Sequence, residues 1–509
     1  MIKQMRENQT DFYDYLIAGS GFAGSITAMA LANSGYRVCL LEKNEHPRFA
    51  IGESSTPIAD MILRGLADRY NLPFLKKLSR YGEWQKNYPE VICGLKRGFS
   101  YYPHQSGKEF ESDRFHSNEL LVAASVNNRN SDTNWLRSDV DHFLVRQAEK
   151  TELDYFDNTT VKSVKRIKNK NLWTISAARD AVQMQLKCKW IIDATGSPLF
   201  SETFFGTKSS ASGFSTNSRA IYTHFENAGL WNQYLEERNF ITDDYPYNPD
   251  DSALHHITEE GWIWMLRFNN NLLSAGLVFD CNKDEFPRYD PAKKTWDSVI
   301  QKYPSLFEIF SNAIIAGQPG KFYKTSRLQR KLNKIYGDGW IALNHTAGFA
   351  DPLHSTGIAH TLSGIEKVLN VCINVQDETE KKKYLKKMEE DFFLELSFLD
   401  TLISICYQSA GNFKLFKAAV MLYFIATIKY ESSRLKGRTP ETFLCAGDFE
   451  LQKLAEKTER EINIFSAGKS EFDVNELVSK IRSWISPFNS AGLMDPERNN
   501  MYHHTAVKL

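Results

Sequence analysis

Residues 13–43 read YDYLIAGSGFAGSITAMALANSGYRVCLLEK, and the order of residue types in this stretch decides the fold. Tyr13–Ala18 is a short apolar run bounded by glycine, the pattern of a buried strand. Gly19-Ser20-Gly21-Phe22-Ala23-Gly24 turns the chain. Ser25–Asn33 carries Ile26, Met29 and Ala30 at helical spacing, and Ser34-Gly35 stops that helix. Arg37–Leu41 is a second apolar strand, ending at Glu42 and Lys43. Strand, turn, helix and strand in about thirty residues make one βαβ unit. Each glycine has its own reason. Gly19 permits a tight turn, Gly21 lets backbone amides approach a diphosphate, and Gly24 lets helix and strand pack closely. The helix N-terminus favours phosphate charge. Glu42 lies 18 residues after Gly24, where a carboxylate accepts hydrogen bonds from a ribose diol. Lys43 beside it is counted with the cofactor contacts and does not by itself require a 2′-phosphate.

Outward from this unit, Thr160–Val164, Leu172–Ser176 and Gln183–Lys187 read as a small meander. Trp190–Ala194 reads as another buried strand, running into Thr195-Gly196. Between residues 201 and 335 strand-like pieces alternate with Asp, Asn and Pro, as in Arg219–Phe225, Gly261–Phe268 and Leu272–Asp280. Trp340–Leu343 returns as a core strand before a helix over Gly357–Asn374. Helices are expected at Glu378–Phe398, Phe413–Lys429, Glu441–Glu456 and Val474–Trp484. The fold class is therefore α/β: a Rossmann-like three-layer nucleotide-binding domain, an inserted antiparallel-sheet substrate domain and a helical C-terminal region. The expected boundaries are 1–200 and 336–375 for the first, 201–335 for the second and 376–509 for the third.

The 509 residues carry 62 basic and 62 acidic side chains, a net charge of zero that gives no reason to expect a nucleic-acid partner. Hydrophobic residues make up 42%, which excludes a largely disordered chain. Seven scattered cysteines, with no C-x-x-C pair, fit reduced thiols in a cytoplasmic protein and no metal site. The polar first residues lack the apolar core of a signal peptide. Ala418–Ile428, the longest apolar stretch near the C-terminus, is too short to span a bilayer, which takes about 20 residues.

Asp193-Ala194-Thr195-Gly196 resembles the second glycine motif of FAD-binding hydroxylase-type flavoproteins, and Ala347-Gly348-Phe349-Ala350-Asp351-Pro352 resembles their late segment. Arg137-x-Asp139-x-x-x-Phe143-Leu144 resembles their arginine-bearing helix start. These resemblances imply FAD, held through Gly19, Gly21, Phe22, Ala23, Gly24, Glu42, Lys43, Arg137, Ala194, Gly196, Asp351, Gly357 and Ile358. With no second dinucleotide fingerprint, electrons would come from transient NAD(P)H or from a separate flavin reductase.

Four further patches make residues 12–430 resemble the flavin-dependent halogenases and their geranylgeranyl-reductase-like relatives. Phe49-Ala50-Ile51-Gly52-Glu53-Ser54-Ser55-Thr56-Pro57 resembles F-x-I-G-E-S-x-x-P. Lys96-Arg97-Gly98-Phe99-Ser100-Tyr101 resembles K-x-G-x-x-F. Trp262-Ile263-Trp264-Met265-Leu266-Arg267 stands where halogenases carry W-x-W-x-I-P. Asp351-Pro352-Leu353-His354-Ser355-Thr356-Gly357 is similar to D-P-x-x-S-[ST]-G. The resemblance implies that reduced FAD and oxygen oxidise chloride or bromide bound near the Thr356 and Gly357 amides. Hypohalous acid then passes to Lys96, which hydrogen-bonds it or, with a lowered pKa, forms a haloamine. Catalytic roles are expected for Lys96, for His354 as a proton acceptor and for Glu53, which couples the flavin and halide sites. Lys96 also reads as a surface lysine, His354 as a packed histidine and Glu53 as a helix N-terminal acid.

Three departures stand out. Leu266-Arg267 replaces Ile-Pro and is expected to change the local wall. Asn344-His345 replaces Gly-Asp, so Asn344 or His345 would hold the ribityl chain. His354 stands where relatives carry glutamate or an apolar residue. The resulting function is halogenation of an electron-rich aromatic in secondary metabolism, the aromatic free or on an acyl carrier protein; Lys414, Lys417 and Lys429 read first as a solvated helix face and second as a patch meeting an acidic carrier. An FAD-dependent monooxygenase, a double-bond reductase and a flavin-binding protein without chemistry stay open beside it.

Overall fold

The computed structural model describes residues 11–180, 182–283 and 290–505; most of the polar N-terminal stretch lies outside them. Asp11–Ala18 is the central strand of an eight-stranded sheet. Val182–Asp193 and Val38–Leu41 flank it in parallel, with Ala18 opposite both Asp193 and Leu41. Trp340–Ala342 continues the sheet beside Asp193, and Asp154–Phe156 lies beyond Val38–Leu41. This register brings four strand ends to one edge of the sheet. The glycine turn, Glu42, Ala194–Gly196 and Leu343–His345 all leave from that edge, where open α/β sheets bind their ligands. The expected meander is present as Thr159–Ile167 and Leu172–Arg179, antiparallel to Val182–Asp193. Crossover helix Phe22–Asn33 is almost wholly buried, which explains its near-continuous apolar sequence.

A nine-stranded sheet forms the second layer system. Ser218–Glu226, Leu273–Asp280, Gly261–Arg267 and Ala253–Ile257 are its antiparallel middle. The sheet is not confined to residues 201–335. Gly98–Pro103 adds parallel to Ala253–Ile257, Leu120–Ala123 pairs next to it, and Met501–Tyr502 closes that side. Position 98 must be glycine because a Cβ there would lie 2.0 Å from the Val122 carbonyl oxygen.

Helix Glu378–Ser409 runs eleven residues beyond its expected end, because Leu399, Leu402, Ile403 and Cys406 stay on a buried face. The next long helix is Phe413–Leu435. The third begins at Phe449 rather than Glu441: the Asp448 side chain accepts the Leu451 amide at 3.1 Å and caps it there. Val474–Ile485 is the fourth. Among the described residues no helix is long and apolar enough to cross a membrane.

Candidate active site

Gly21, Phe22, Ala23, Glu53, Arg137, Ala194, Gly196, Gly357 and Ile358 line one cavity of about 470 Å³, together with Trp262 and Trp264. The first βαβ turn forms one end. Gly19 has φ +99°, and a Cβ there would sit 2.6 Å from the Ala194 carbonyl oxygen. A Cβ at Gly24 would sit 1.8 Å from the Gly19 oxygen. A Cβ at Gly21 would meet nothing nearer than 3.6 Å, so this glycine leaves open space where a diphosphate belongs. The turn therefore fits FAD on its own geometry.

Glu42 is buried behind the turn. It accepts the Ser20 amide at 3.0 Å and the Asn44 amide at 3.1 Å. Burial pushes its carboxyl up, but Arg48 at 3.3 Å and the two amides outweigh that and hold it below the usual range. An ionised acid at this place suits a ribose diol. Lys43 is exposed and outside the cavity lining.

Arg137 ties the two phosphate-side segments together. Its Nη1 donates to the carbonyls of Ile51 and Gly52, at 3.0 and 3.1 Å. Its Nε and Nη2 pair with Asp141 at 3.0 and 2.8 Å, and Asp141 in turn accepts the Phe22 amide at 3.1 Å. Asp141 carried no signal in the sequence beyond its helical spacing from Arg137.

The Ser-Thr-Gly loop opens helix Thr356–Leu369, with Ser355 at φ +52° in the left-handed region. Ser355, Gly357, Ile358 and Thr361 face the cavity; the Thr356 side chain is buried behind them. Asp351 does not line the cavity. Its carboxylate accepts Ser218 Oγ at 2.5 Å, Tyr407 Oη at 3.0 Å, Gln329 Nε2 at 3.3 Å and the Leu353 amide at 3.1 Å. It fixes the turn, and burial pushes its pKa up to about 7. Of the exchanged pair, His345 faces the cavity, whereas Asn344 turns onto the helix and donates to the His360 carbonyl at 3.0 Å. Arg330, which the sequence reading missed, joins the lining and donates to the carbonyls of Gly196 and His345 at 3.0 and 2.7 Å.

Alternation along Gly261–Arg267 corrects the expectation for the Leu266-Arg267 exchange. Trp262, Trp264 and Leu266 face the cavity. Arg267 points to the other face, where its Nε pairs with Asp250 at 2.9 Å and its Nη2 donates to the Gly229 carbonyl. The added charge does not enter the wall.

Lys96 is neither on the surface nor in the flavin cavity. It is fully buried, donates to the Ser55 carbonyl at 2.6 Å and lies 4.1 Å over the Phe99 ring. Burial lowers its pKa to about 7 against the opposing pull of Asp132 and Asp60. Asp132, its partner in the antiparallel pair Cys93–Lys96 and Asp132–Trp135, is pushed up to about 7 by burial. Ser54 Oγ and Thr56 Oγ1, on either side of Ser55, are buried without hydrogen-bond partners, as are Asp132 Oδ2 and both amide atoms of Asn134 on the strand paired with Lys96. Tyr101 Oη and His354 Nδ1 are likewise buried and unpaired. His354 stacks on Tyr423 at 4.4 Å, and its Nε2 lies 3.8 Å from Cys406 Sγ. Burial lowers its pKa to about 3, so the ring is neutral at physiological pH. Glu53 faces the flavin cavity; its Oε1 pairs with His224 at 2.8 Å, a partner the sequence reading missed.

These features define an FAD-dependent oxidoreductase: a βαβ diphosphate turn, a buried acid behind it and an indole-walled cavity over a helix N-terminus. A family model described as FAD dependent oxidoreductase matches residues 14–245. A second, described as tryptophan halogenase, matches residues 134–408, and the chain belongs to the flavin-dependent halogenase family. The chain is 27% identical to the monodechloroaminopyrrolnitrin halogenase PrnC of Pseudomonas fluorescens, over 94% of this chain and 85% of that one. It is 25% identical to the tetracycline 7-halogenase of Kitasatospora aureofaciens, over 82% of this chain and 73% of that one. The halogenase PltM in complex with phloroglucinol and FAD shares the fold with a TM-score of 0.82, at 23% identity over 96% of this chain and 99% of that one. The enzyme is an FAD-dependent oxidoreductase, and halide is a substrate of its family.

Proposed function

We propose that the protein halogenates an electron-rich aromatic, with Lys96 handling the oxidised halogen. The observation that carries this reading is the fully buried lysine, held by the Ser55 carbonyl and paired in register with Asp132, whose Oδ2 lacks a hydrogen-bond partner. Bound FAD, reduced by a separate flavin reductase, would supply the electrons that activate oxygen and so oxidise chloride or bromide. The chain's own residues do the rest. The glycine turn, Glu42 and Arg137 hold the dinucleotide. The Thr356–Gly357 helix start presents backbone amides to a halide. Ser55 holds the Lys96 Nζ at 2.6 Å. With its pKa near 7, Lys96 offers both forms at neutral pH, an ammonium that donates to hypohalous acid and an amine that takes the halogen.

The strand Gly98–Pro103 leads from Lys96 toward a separate groove of about 1320 Å³. Phe99 and Tyr101 pack on the helix Phe413–Leu435 through Tyr423, Phe424 and Phe416. Pro103, Ile257, Phe413, Lys417 and Met421 line the groove. Relatives matching 94% and 82% of this chain are named for monodechloroaminopyrrolnitrin and tetracycline, and PltM was crystallised with phloroglucinol, which supports a small aromatic entering whole. Two relatives matching 69% of this chain are named for pyrrole on a peptidyl carrier protein, which supports a carrier-bound aromatic. The test is Lys96→Ala, assayed with a flavin reductase, FAD, NADH, halide and a panel of phenols and indoles, free and carrier-bound. Halogenated product is expected to vanish while FAD stays bound and free hypohalous acid still appears in a scavenger assay. Product at the wild-type rate overturns the role of Lys96. Turnover that persists without halide and without oxygen points to a reductase instead.

A further inference from the structure

A halogenating turnover consumes protons. An aromatic C–H, halide, the reduced-flavin anion FADH⁻, oxygen and two protons give the aromatic C–X bond, FAD and two waters, and reoxidation of FADH⁻ to FAD and hydrogen peroxide takes one proton even without halide. Two electrons come from the flavin and two from the broken C–H bond, and together they reduce oxygen. The proton taken up on reoxidation has to reach the flavin cavity through its protein wall. Glu53 and His224 stand in that wall. Both are 2% exposed, and His224 Nε2 lies 2.8 Å from Glu53 Oε1. Glu53 lines the flavin cavity, where its Oε2 has no hydrogen-bond partner. His224 lines a second hollow of about 220 Å³ on the other side. The rim of that hollow, Glu226, Asn270, Gly317 and Gln318, is exposed to solvent. The pair is thus the partition between bulk water and the flavin.

We propose that His224 and Glu53 form a proton relay from the outer hollow into the flavin cavity. Glu53 gives up a proton from Oε2 as Oε1 takes one from His224 Nε2, water in the outer hollow protonates the histidine at Nδ1, and rotation of the carboxyl with return of the ring to its Nε2–H tautomer resets the pair. No charge accumulates on the pair. Phe49, edge-on to the imidazole at 5.1 Å, and Phe268 at 5.8 Å hold the ring in place. The ionisable groups that share the two hollows with the pair are Asp139 and Glu226 on the outer side and Arg48, Arg137, Tyr222, His255, Arg327, Arg330 and His345 on the flavin side. Burial, Tyr323 and the Glu53 charge push the Tyr222 phenol up to about 12, which keeps it protonated and out of the exchange.

The proposal rests on the halogenase reading only for its stoichiometry, and its test separates the two. Full-length His224→Gln keeps a donor toward Glu53 but cannot pass a proton; His224→Ala joins its vacated space to the outer hollow. Both are expected to bind FAD normally and to slow oxygen-driven reoxidation of reduced FAD by about 10²-fold or more, the usual scale for a lost general acid. Added imidazole should restore the rate of His224→Ala in a saturable way. In the flavin-free protein, nitrogen NMR should report the contact with Glu53 as a displaced His224 Nε2 resonance in Glu53→Gln, because the hydrogen-bond acceptor 2.8 Å away has changed. A wild-type rate in His224→Gln, or a His224 Nε2 resonance unmoved by Glu53→Gln, overturns the relay. If reoxidation depends on His224 while no aromatic is ever halogenated, the relay stands and the halogenase reading falls.

Discussion

Replacing Gly21 with alanine should separate flavin binding from folding. Gly21 has φ −60° and ψ 175°, a conformation that alanine adopts without strain. Its added Cβ would lie 3.6 Å from Arg137 Nη2 and Asp141 Oδ2, ordinary contact distances. Restricting the unfolded chain favours alanine by about 0.4–1 kcal/mol. Losing glycine at the helix N-cap costs about 0.5–1 kcal/mol. The two nearly cancel, so the flavin-free protein should melt within about 2 °C of wild type. Binding is different, because the methyl occupies the gap meant for the diphosphate. One lost charge-assisted hydrogen bond costs about 1.5–3 kcal/mol, which is roughly 10- to 150-fold in Kd. At FAD concentrations about 100 times the wild-type Kd, ligand stabilises by about 2.7 kcal/mol, and a thirty-fold weaker site keeps only about 0.9. Thermal melting with and without FAD, beside fluorescence titration, reads both numbers. Gly21→Val should abolish flavin retention outright. Gly24→Ala is the contrast: its Cβ would lie 1.8 Å from a backbone oxygen, so it should fail to fold. Wild-type FAD affinity in Gly21→Ala and Gly21→Val would refute the placement of the diphosphate.

Removing the charge of Asp132 should move the pH dependence of halogenation. Asp132 raises the Lys96 pKa against burial, so Asp132→Asn should take it below about 7 and shift the acidic limb of the pH–rate profile to lower pH. An unmoved limb, with product still dependent on Lys96, would show that the neutral amine is not the working form. Gly276 lies opposite Trp264 on the neighbouring strand, and a Cβ there would sit 2.1 Å from the indole. Gly276→Ala should push the ring into the cavity, cost about 1–3 kcal/mol and weaken FAD binding, read by melting and tryptophan fluorescence.

The βαβ turn was legible because Gly19 and Gly24 answer close backbone approaches that exclude a Cβ, while Gly21 leaves open space for a ligand. The Ser-Thr-Gly loop and Arg137 were legible through resemblance, and both reached the cavity. What stayed hidden was partnership across long separations. His224 lies 171 residues from Glu53, and nothing local to Ser218–Glu226 distinguishes it from a packed histidine. Asp132 meets Lys96 only through strand register, in a stretch whose Asp-Thr-Asn composition reads as a loop. The second sheet was misjudged in extent for the same reason: Gly98–Pro103 joins it in parallel, a pairing that leaves no hairpin signal. Arg267 was legible in principle, since strand alternation alone sends it to the face opposite Trp264 and Leu266.

The relation between the flavin cavity and Lys96 is fixed by backbone, not by side-chain packing. Ser54 bridges to Asn134, the Trp135 amide donates to the Glu53 carbonyl at 2.6 Å, and the Ser55 amide donates to the Thr133 carbonyl at 3.1 Å. The loop is thereby an extra edge on the pair of strands that carries Lys96. Glu53 lines the flavin cavity while the Ser55 carbonyl holds the lysine, so one short segment touches both. A slip of one residue would turn the Glu53 carboxylate away from the flavin. Burial of the lysine follows from the same register, and it is burial that brings its pKa to where ammonium and amine coexist. The burial of Lys96 and the geometry of the flavin wall are therefore one structural constraint, set by three backbone contacts.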